Sequence, residues 1–429
     1  MKLMKHSFIL LLTLSCALLW SAAPGKKAAK PPRPKLKITC APATHIAKAG
    51  EKVDFSITSD SELPIQVIIS LDGSNDKIFK KLTVKSPAVV SASLASPGFL
   101  HCAATSGRTT ARAGVAVEPE KIRYARKPPK DFDAFWKSAL EESAKLPLDL
   151  KIEAINPHPD FESYLISCAN VNGKRAYGFY SAPKKRSKKM PLVVLFGGGE
   201  AYVAAAPFPG SARKMSTRFK ESTAVLYLHL PPYRPEMSWE KARQTHKEFL
   251  KKINLRRYII IGLEDPHPRK FYAYSAILGG VRLIKAVSER KEIDHEKLFF
   301  HGASHGGKLG AYFAYFLPFK AVFLGVPSSC EINAHLEKRY GSAAREWKNH
   351  HAVTDYFDLV YFAPGIKCPV LVGVGFWDRS CPPTGVYSFY NAIPDGKKKI
   401  INKIHDGHGG APPEYHPATW KFLVDHLNK

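Results

Sequence analysis

The sequence predicts an α/β fold with a doubly wound, mostly parallel sheet, preceded by a small all-β domain. From about residue 131 to the end, apolar runs of strand length alternate with helical patterns. Such alternation is typical of a mostly parallel sheet covered by helices. Before residue 119, short strand-like runs are separated by turn signals such as Asp72-Gly73 and Ser96-Pro97-Gly98, a spacing typical of a β-sandwich.

The length and composition indicate a globular protein of two or three domains. The chain has 429 residues, of which 45% are hydrophobic and 24% are charged, and domains hold roughly 100–200 residues each. Its formal net charge of +27 favours acidic partners. The basic residues are scattered apart from the run at 184–189, and no nucleic-acid-binding motif accompanies them. We therefore expect a solvated basic surface and no nucleic-acid partner.

The N-terminus has the pattern of an export signal. Lys2 and Lys5 precede an apolar run over residues 8–20, and small residues follow it. We predict a signal peptide over 1–23 and a basic, proline-rich linker over 24–34, and hence a secreted or periplasmic protein. An uncleaved anchor is the alternative, although the run is shorter than the about 20 residues that a membrane span needs. No other segment of the sequence is long and apolar enough to span a bilayer.

Residues 35–118 are predicted to form an immunoglobulin-like β-sandwich, an accessory domain because it holds no convincing catalytic cluster. Cys40 and Cys102 bracket this domain and are the most attractive disulfide pair in an exported chain, whereas the four later cysteines are as well explained as buried thiols. No cysteine spacing resembles a zinc site. The strand-like runs are 35–40, 52–58, 64–71, 78–84, 89–94 and 114–117.

Residues 119–429 are predicted to form the catalytic domain. Near its start, residues 131–146 form an amphipathic helical pattern with Phe132, Phe135 and Trp136 on one face. The predicted strands are 192–196, 224–229, 298–301, 321–326, 370–375 and 399–404, and the predicted helices between them include 275–287, 306–316 and 383–393.

The central motif is G-x-S-x-G, formed by residues 302–306. In this motif a tight turn from a strand to a helix lifts the serine hydroxyl above the sheet, and glycines flank the serine because larger side chains would collide there. Here the motif follows the apolar strand 298–300 and opens the helical pattern 308–316. This context predicts an α/β-hydrolase fold with Ser304 as the nucleophile.

A serine nucleophile needs a base and an orienting acid, which follow it along the chain in this fold. Asp378 is the predicted acid because it lies just past the strand 370–375, on the same rim of the sheet as the serine. Asp355 and Asp358 are rivals that occupy a predicted helix or loop before that strand.

The predicted base is one of two histidines that follow the last strand. His408 lies in a glycine-rich loop that can reach the serine, and it is the favoured candidate. His405 is nearly part of the strand and remains the alternative. His305 is adjacent to the nucleophile, and its side chain is expected to point away, toward packing or substrate.

The tetrahedral intermediate needs backbone N–H donors. The residue after the nucleophile, His305, is expected to supply one, and Gly198, in the glycine run after the first central strand, is expected to supply the other. Trp377 and Tyr202 are the candidate substrate-binding residues, because aromatic side chains there would border a small acyl group. No cofactor and no metal are expected, since serine, histidine and the oxyanion hole supply the chemistry.

Motifs outside the predicted triad are shared with a known family. They are Asp131–Trp136 with Leu146-Pro147-Leu148, Gly262–Pro266, Trp377–Thr384, Tyr390-Asn391 and Gly407-His408. In this combination, and with the acid and the base 30 positions apart, the chain from about residue 131 to the end resembles the acetyl xylan esterase and cephalosporin-C deacetylase family of the α/β-hydrolase superfamily.

Two departures from the family concern the acyl pocket and the substrate. The family usually has Gln after the nucleophile, where this chain has His305, and usually a Tyr amide as the first oxyanion donor, where this chain has Gly198. Both roles use the backbone, so catalysis is expected to survive. The insertion-like stretch 231–257 is expected to reshape the entrance to the site.

The resemblance implies a secreted serine esterase that removes O-acetyl groups from an oligo- or polysaccharide through an acyl-enzyme intermediate, with a short acyl pocket. Whether it forms a homo-oligomer stays open. Two other classes also stay open. A secreted peptidase of the prolyl oligopeptidase kind would carry a β-propeller or a long cap, and residues 35–118 are too few for a propeller. A non-catalytic glycan-binding protein would be expected to lack a member of the triad.

Overall fold

The computed structural model describes residues 33–428, apart from 76, 200–207, 338, 340–346 and 348. The predicted signal peptide over 1–23 lies outside the described residues, as does the predicted linker over 24–34 except for its last two residues. Pro34–Lys429 form one compact unit. Within the described part of the chain, no helix is both long enough and apolar enough to cross a membrane.

The N-terminal β segment, Leu36–Val117, folds into two sheets. Its strands are β1 (Leu36–Ala41), β2 (Ile46–Ala47), β3 (Val53–Ser59), β4 (Ile65–Leu71), β5 (Ile78–Val84), β6 (Ala88–Ala92), β7 (Gly98–Ser106) and β8 (Thr109–Val117). The sheet orders are β1-β3-β6 and β2-β8-β7-β4-β5, and every pairing except β2 with β8 is antiparallel. Alternate side chains point inward, and Phe55 and Ile57 of β3 share one core with Val67 and Ile69 of β4.

Most strands of the N-terminal β segment lie where the sequence predicts them, but β2 and β7 were not predicted. β2 is too short to carry a pattern. The first five residues of β7 are all buried, so polar and apolar residues do not alternate there. The assignment of the segment to the immunoglobulin-like class stays a prediction.

The prediction of a disulfide between Cys40 and Cys102 is wrong, because both thiols are free. They pack against the apolar core of the N-terminal β segment, where a free cysteine behaves as a small hydrophobic residue. Burial raises the pKa of each thiol to about 12. The thiolate that disulfide exchange requires is therefore disfavoured in the folded protein.

The remainder of the chain builds one mixed sheet and the helices that cover it. The strands are β9 (Lys151–Ala154), β10 (Phe161–Ala169), β11 (Arg175–Pro183), β12 (Met190–Phe196), β13 (Ala224–His229), β14 (Ile293–Ala303), β15 (Ala321–Gly325), β16 (Val370–Gly375) and β17 (Lys398–Lys403). The helices are α1 (Phe132–Lys145), α2 (Phe208–Phe219), α3 (Trp239–Lys252), α4 (Tyr272–Ser288), α5 (His305–Phe316), α6 (His351–Thr354), α7 (Leu359–Phe362), α8 (Pro383–Ala392) and α9 (Tyr415–Val424).

The sheet order is β9-β10-β11-β13-β12-β14-β15-β16-β17. Pairing is antiparallel from β9 to β13 and parallel from β13 to β17. Successive residues of the central strand β12 face opposite ways, since Leu192 and Val194 join the core under α4, whereas Val193 joins the core under α2 and α9. The sheet therefore carries helices on both faces, as the sequence predicts. The antiparallel strands β9–β11 were not predicted.

The carboxyl ends of the parallel strands place the candidate residues at one edge of the sheet. β14 leads directly into Ser304, β16 is followed by Asp378, and β17 is followed by His408. β12 leads into the glycine turn that contains Gly198. Residues far apart in the sequence are thus brought to one rim by the order of the strands.

Candidate active site

Ser304 occupies a strained turn between β14 and α5. Its backbone has φ 57° and ψ −116°, a conformation that costs a non-glycine residue energy and must be held by its surroundings. The Ser304 amide donates to the Gly325 carbonyl at 2.8 Å. A Cβ on Gly306 would lie 2.4 Å from the Phe196 carbonyl oxygen, and one on Gly302 would lie 2.8 Å from the backbone of the turn. Only glycine fits at either position.

The structure brings the three predicted triad residues into a hydrogen-bonded chain. His408 Nε2 lies 3.0 Å from Ser304 Oγ, and His408 Nδ1 lies 2.8 Å from Asp378 Oδ2. The carboxylate can only accept, so Nδ1–H donates to it, and Nε2 is left to accept from the serine hydroxyl. This arrangement can take a proton from the serine and hold the resulting imidazolium beside a carboxylate.

The Asp378 carboxylate is fully buried and fixed by its own loop, residues 376–384, which we call the acid loop. Its Oδ1 accepts from the amides of Ser380 and Cys381 at 2.8 and 2.9 Å. The rivals are engaged elsewhere: Asp358 caps α7 and accepts from two amides that follow β15, while Asp355 accepts from Arg126. Neither reaches the serine.

His408 lies in the loop of residues 404–410, which we call the histidine loop. A buried lysine supports this loop. Lys403 Nζ donates to the carbonyls of Gly407 and Gly410 at 2.9 and 2.7 Å. His405, the alternative base, is exposed and meets the ring of His45 at a centroid distance of 5.0 Å. The histidine beside the serine is therefore His408.

The two predicted oxyanion donors, His305 and Gly198, both lie next to Ser304. The His305 amide opens α5, where the first N–H groups of the helix have no partner within it. Gly198 lies against the serine, since its ideal Cβ would be 3.5 Å from Ser304 Cβ. The His305 ring points away from the triad, with Nδ1 at 2.8 Å from the Gly199 carbonyl.

The two predicted substrate-binding residues have different positions. The Trp377 ring is half-buried and packs against the histidine loop, where a Cβ on Gly407 would lie 2.4 Å from it. Tyr202 lies outside the described residues. The predicted entrance stretch 231–257 contains α3.

Cys381 is a residue of the site that motif analysis did not assign. Its Sγ and the ligand atoms of Asp378 and His408 all lie within 4.8 Å of one another, which is close enough to hold a soft metal ion. Burial raises the pKa of Cys381 well above its ordinary value, and hydrogen bonding to Ser304 opposes this only in part. The thiol is therefore neutral in the metal-free protein, and a metal ion bound here would have to displace its proton.

The N-terminal β segment packs directly on the acid loop. Gly114 of β8 touches the loop so closely that a Cβ there would lie 2.0 Å from the Phe376 carbonyl oxygen. The ring of Phe99 in β7 meets the ring of Phe376 edge-on at 5.2 Å and that of Tyr387 at 5.6 Å. The backbone of the loop that carries the acid is thus supported by two strands of this segment.

A buried carboxylate makes the second contact between the N-terminal β segment and the acid loop. Asp72 Oδ1 accepts from Thr384 Oγ1 at 2.7 Å and from the Thr384 amide at 3.4 Å. Asp72 is 2% exposed, and burial raises its pKa to about 7. The side chain of Arg379 covers Gly73, the next residue. No local sequence signal predicts this contact, because its partners are more than 300 positions apart.

The fold and the site together define an α/β-hydrolase, as the sequence predicts: a mostly parallel sheet, a strand–serine–helix turn, and an acid and a histidine that follow at the same edge. Residues 118–426 match the model of the acetyl xylan esterase (AXE1) family. The chain belongs to this family, and it is a carboxylic ester hydrolase.

Relatives extend over most of the chain. The acetyl esterase Axe7A of Xylanibacter ruminicola is 26% identical over 354 residues, which are 79% of this chain and 78% of that protein. The acetyl xylan esterase from Paenibacillus sp. R4 has a TM-score of 0.59 at 20% identity, covering 72% of this chain and 99% of that one. Acetyl xylan esterase 1 from Thermoanaerobacterium sp. JW/SL YS485 has a TM-score of 0.58 at 19% identity, covering 72% and 98%. These structures share the fold.

The contact at Gly114 predicts that Gly114→Ala lowers turnover. The new methyl group would collide with the Phe376 carbonyl and displace the acid loop, and a shift of about 1 Å at a catalytic group costs about a hundredfold in rate. We expect kcat on nitrophenyl acetate to fall at least tenfold, with KM less affected. Gly210→Ala is the matched control, since nothing lies within 4 Å of its Cβ. Unchanged kcat in a folded Gly114→Ala enzyme would contradict this role for the contact.

The buried Asp72 predicts a pH effect on stability. Its folded-state pKa of about 7 exceeds the value of 3.8 for a free carboxyl. Between these two pH values the Asp72 carboxyl keeps its proton in the folded protein and loses it in the unfolded chain. The stability that this group contributes is full below about pH 4 and is lost as the pH rises through 7. Asp72→Asn keeps an acceptor for Thr384 and cannot ionise. The free energy of unfolding of the variant and of the wild type is measured in urea at pH 4.5, 6 and 8. Relative to the wild type, the variant should become more stable by a few kcal/mol as the pH rises. A difference between the two proteins that does not change with pH would refute this.

Proposed function

We propose that this protein is a secreted serine esterase that removes O-acetyl groups from carbohydrate through an acyl-enzyme intermediate. The observation that carries the proposal is the chain from Ser304 Oγ through His408 to the buried Asp378, with contacts of 3.0 and 2.8 Å. Membership of the acetyl xylan esterase family and the likeness to Axe7A support an acetylated carbohydrate as the substrate class. The export pattern at residues 1–23 supports secretion or a periplasmic location.

Acylation begins at the serine. His408 Nε2 takes the proton from Ser304 Oγ as the oxygen attacks the acetyl carbonyl, and Asp378 stabilises the imidazolium that results. The oxyanion of the tetrahedral intermediate lies between the amides of His305 and Gly198, which are fixed by the start of α5 and by the glycine turn. The sugar hydroxyl leaves with the proton that His408 returns.

Deacylation repeats these steps with water. His408 takes a proton from a water molecule that attacks the acetyl-serine ester, the same amides hold the oxyanion, and acetate leaves as Ser304 recovers its proton. In this proposed cycle His408 carries each proton, and the same two amides stabilise each oxyanion. The thiol of Cys381, held neutral by burial, takes no part in the transfer.

The triad assignment predicts the effect of three substitutions. Ser304→Ala and His408→Ala should each reduce acetate release from acetylated xylan and from nitrophenyl acetate by several orders of magnitude, and the double variant should lose little more, because triad members act as a unit. His405→Ala is the matched control, since this exposed ring lies outside the hydrogen-bonded chain. Near-normal turnover by Ser304→Ala, or a comparable loss of activity in His405→Ala, would refute the assignment.

The acid loop predicts a preference for short acyl groups. Trp377, Pro382 and Pro383 keep this loop bulky, and close-packed walls yield little to a longer chain. An open pocket would instead gain about 0.8 kcal/mol for each methylene buried. We expect kcat/KM to be highest for nitrophenyl acetate and to fall steeply by butyrate and octanoate. A rise along this series would indicate a lipase-like or general carboxylesterase, and the carbohydrate substrate would have to be abandoned.

A further inference from the structure

The five-stranded sheet of the N-terminal β segment has an outer face that is covered only in part. Side chains of its strands β7 and β8 alternate between the two faces. On the outer face, Phe99 and Ala116 join the core of the mixed sheet and its helices, and Gly114 touches the acid loop. Farther from that contact, residues 103 and 105 of β7 and residues 110 and 112 of β8 are half-buried or exposed. The outer face therefore continues past the acid loop as an open surface.

The strand pairings give the residues of this open surface, which we call the outer platform. They form two rows across β5, β4, β7 and β8, first Lys81, Ile68, Ala103 and Arg112, and then Thr83, Gln66, Thr105 and Thr110. Neighbouring strands lie about 4.8 Å apart, so each row is about 14 Å long. The two cations are at opposite ends of the first row, and both are exposed.

A third cation connects the outer platform to the active site. Arg379 directly follows the triad acid and is exposed. Its side chain packs on Gly73, whose ideal Cβ would lie 3.0 Å from Arg379 Cγ. Burial, and then the charges of Arg379 and Arg112, lower the pKa of His101 to about 4, so both guanidinium groups lie near this one ring of β7. Positive charge thus extends from the residue beside the acid to the far edge of the outer platform.

The chemistry of the outer platform suits an acidic sugar polymer. Guanidinium and ammonium groups donate charge-assisted hydrogen bonds to carboxylates. The threonine hydroxyls and the Gln66 amide can donate to and accept from sugar hydroxyls. Because the charged side chains are exposed on the face of a sheet, an extended chain can lie across them. The net charge of +27 attracts such a polyanion over a longer range.

We propose that the outer platform and Arg379 form a binding surface for the uronate-bearing stretches of an acetylated polysaccharide. This inference rests on the proposed esterase function and deepens it, because it narrows the substrate class to acidic acetylated glycans. Arg379, Arg112 and Lys81 pair with carboxylates of the polymer while an acetyl group elsewhere on the same chain lies at Ser304. Binding the chain at a second place raises the local concentration of acetyl esters at the serine.

The test of binding uses native gels that contain either a uronate-bearing xylan or the same xylan after its carboxylates have been reduced to alcohols. We expect the uronate-bearing xylan to retard the wild type more strongly, and added salt to weaken the retardation. Lys81→Gln/Arg112→Gln should lower the affinity for the uronate-bearing xylan by about fivefold, as expected for the loss of two exposed ion pairs. Its affinity for the reduced xylan should change little.

Lys37→Gln/Lys80→Gln is the matched control, because it removes the same charge from the same segment and leaves the outer platform intact. Lys80 pairs with the core residue Ile69, so its side chain is on the opposite face of β5 from Lys81. Lys37 is exposed on the other sheet. An equal loss of affinity in the two double variants, or equal retardation of the wild type by the two xylans, would overturn the binding surface. Retardation of the wild type by single-stranded DNA and not by the uronate-bearing xylan would assign the surface to nucleic acid and also overturn it.

Kinetic measurements connect the binding surface to the reaction. Both xylans are acetylated to the same degree, and kcat/KM is measured for acetate release. The wild type should prefer the uronate-bearing xylan, mainly through KM, and Lys81→Gln/Arg112→Gln should lose about fivefold of this preference. Lys37→Gln/Lys80→Gln should keep it, and an equal preference in the two double variants would contradict the proposal. Failure of the proposed function is distinguishable, because then neither xylan nor nitrophenyl acetate is hydrolysed, whereas the gels report binding without any reaction.

Discussion

The backbone contact between the acid loop and the histidine loop holds the rest of the site in place. The acid loop and the histidine loop leave neighbouring parallel strands, and the Trp377 amide donates to the Asp406 carbonyl at 3.4 Å. Gly375 lies so close to the histidine loop that a Cβ would be 2.4 Å from the Gly407 carbonyl oxygen. Because the contact is made by backbone, the carboxylate and the imidazole are set at hydrogen-bonding distance before any substrate arrives.

The N-terminal β segment is part of this support rather than an appended module. Its strands β7 and β8 contact Phe376 at one end of the acid loop, and Asp72 accepts a hydrogen bond from Thr384 at the other end. The Asp378 side chain lies between these two anchor points and is fully buried. An acid held in this way keeps its orientation toward His408 without a covalent link between the segment and the loop.

The parts of the site that follow local rules could be predicted from the sequence. Ser304 stands in a motif whose glycines are dictated by its turn, and Asp378 and His408 follow apolar strands whose carboxyl ends must share an edge. Asp72 could not be predicted, because an aspartate in a turn is ordinary until its burial and its distant partner are known. β7 was not predicted for a related reason, since polar and apolar residues do not alternate in a strand that is buried on both faces.

The contact between Asp72 and Thr384 joins residues 312 positions apart. The active site is therefore assembled from parts of the chain that the ribosome makes at very different times. The N-terminal β segment emerges from the ribosome early, and its strands pair mainly with one another. The acid loop and the histidine loop emerge near the end. A nascent chain that already contains Ser304 therefore still lacks Asp378 and His408. It can become active only when the N-terminal β segment and the C-terminal loops have packed together.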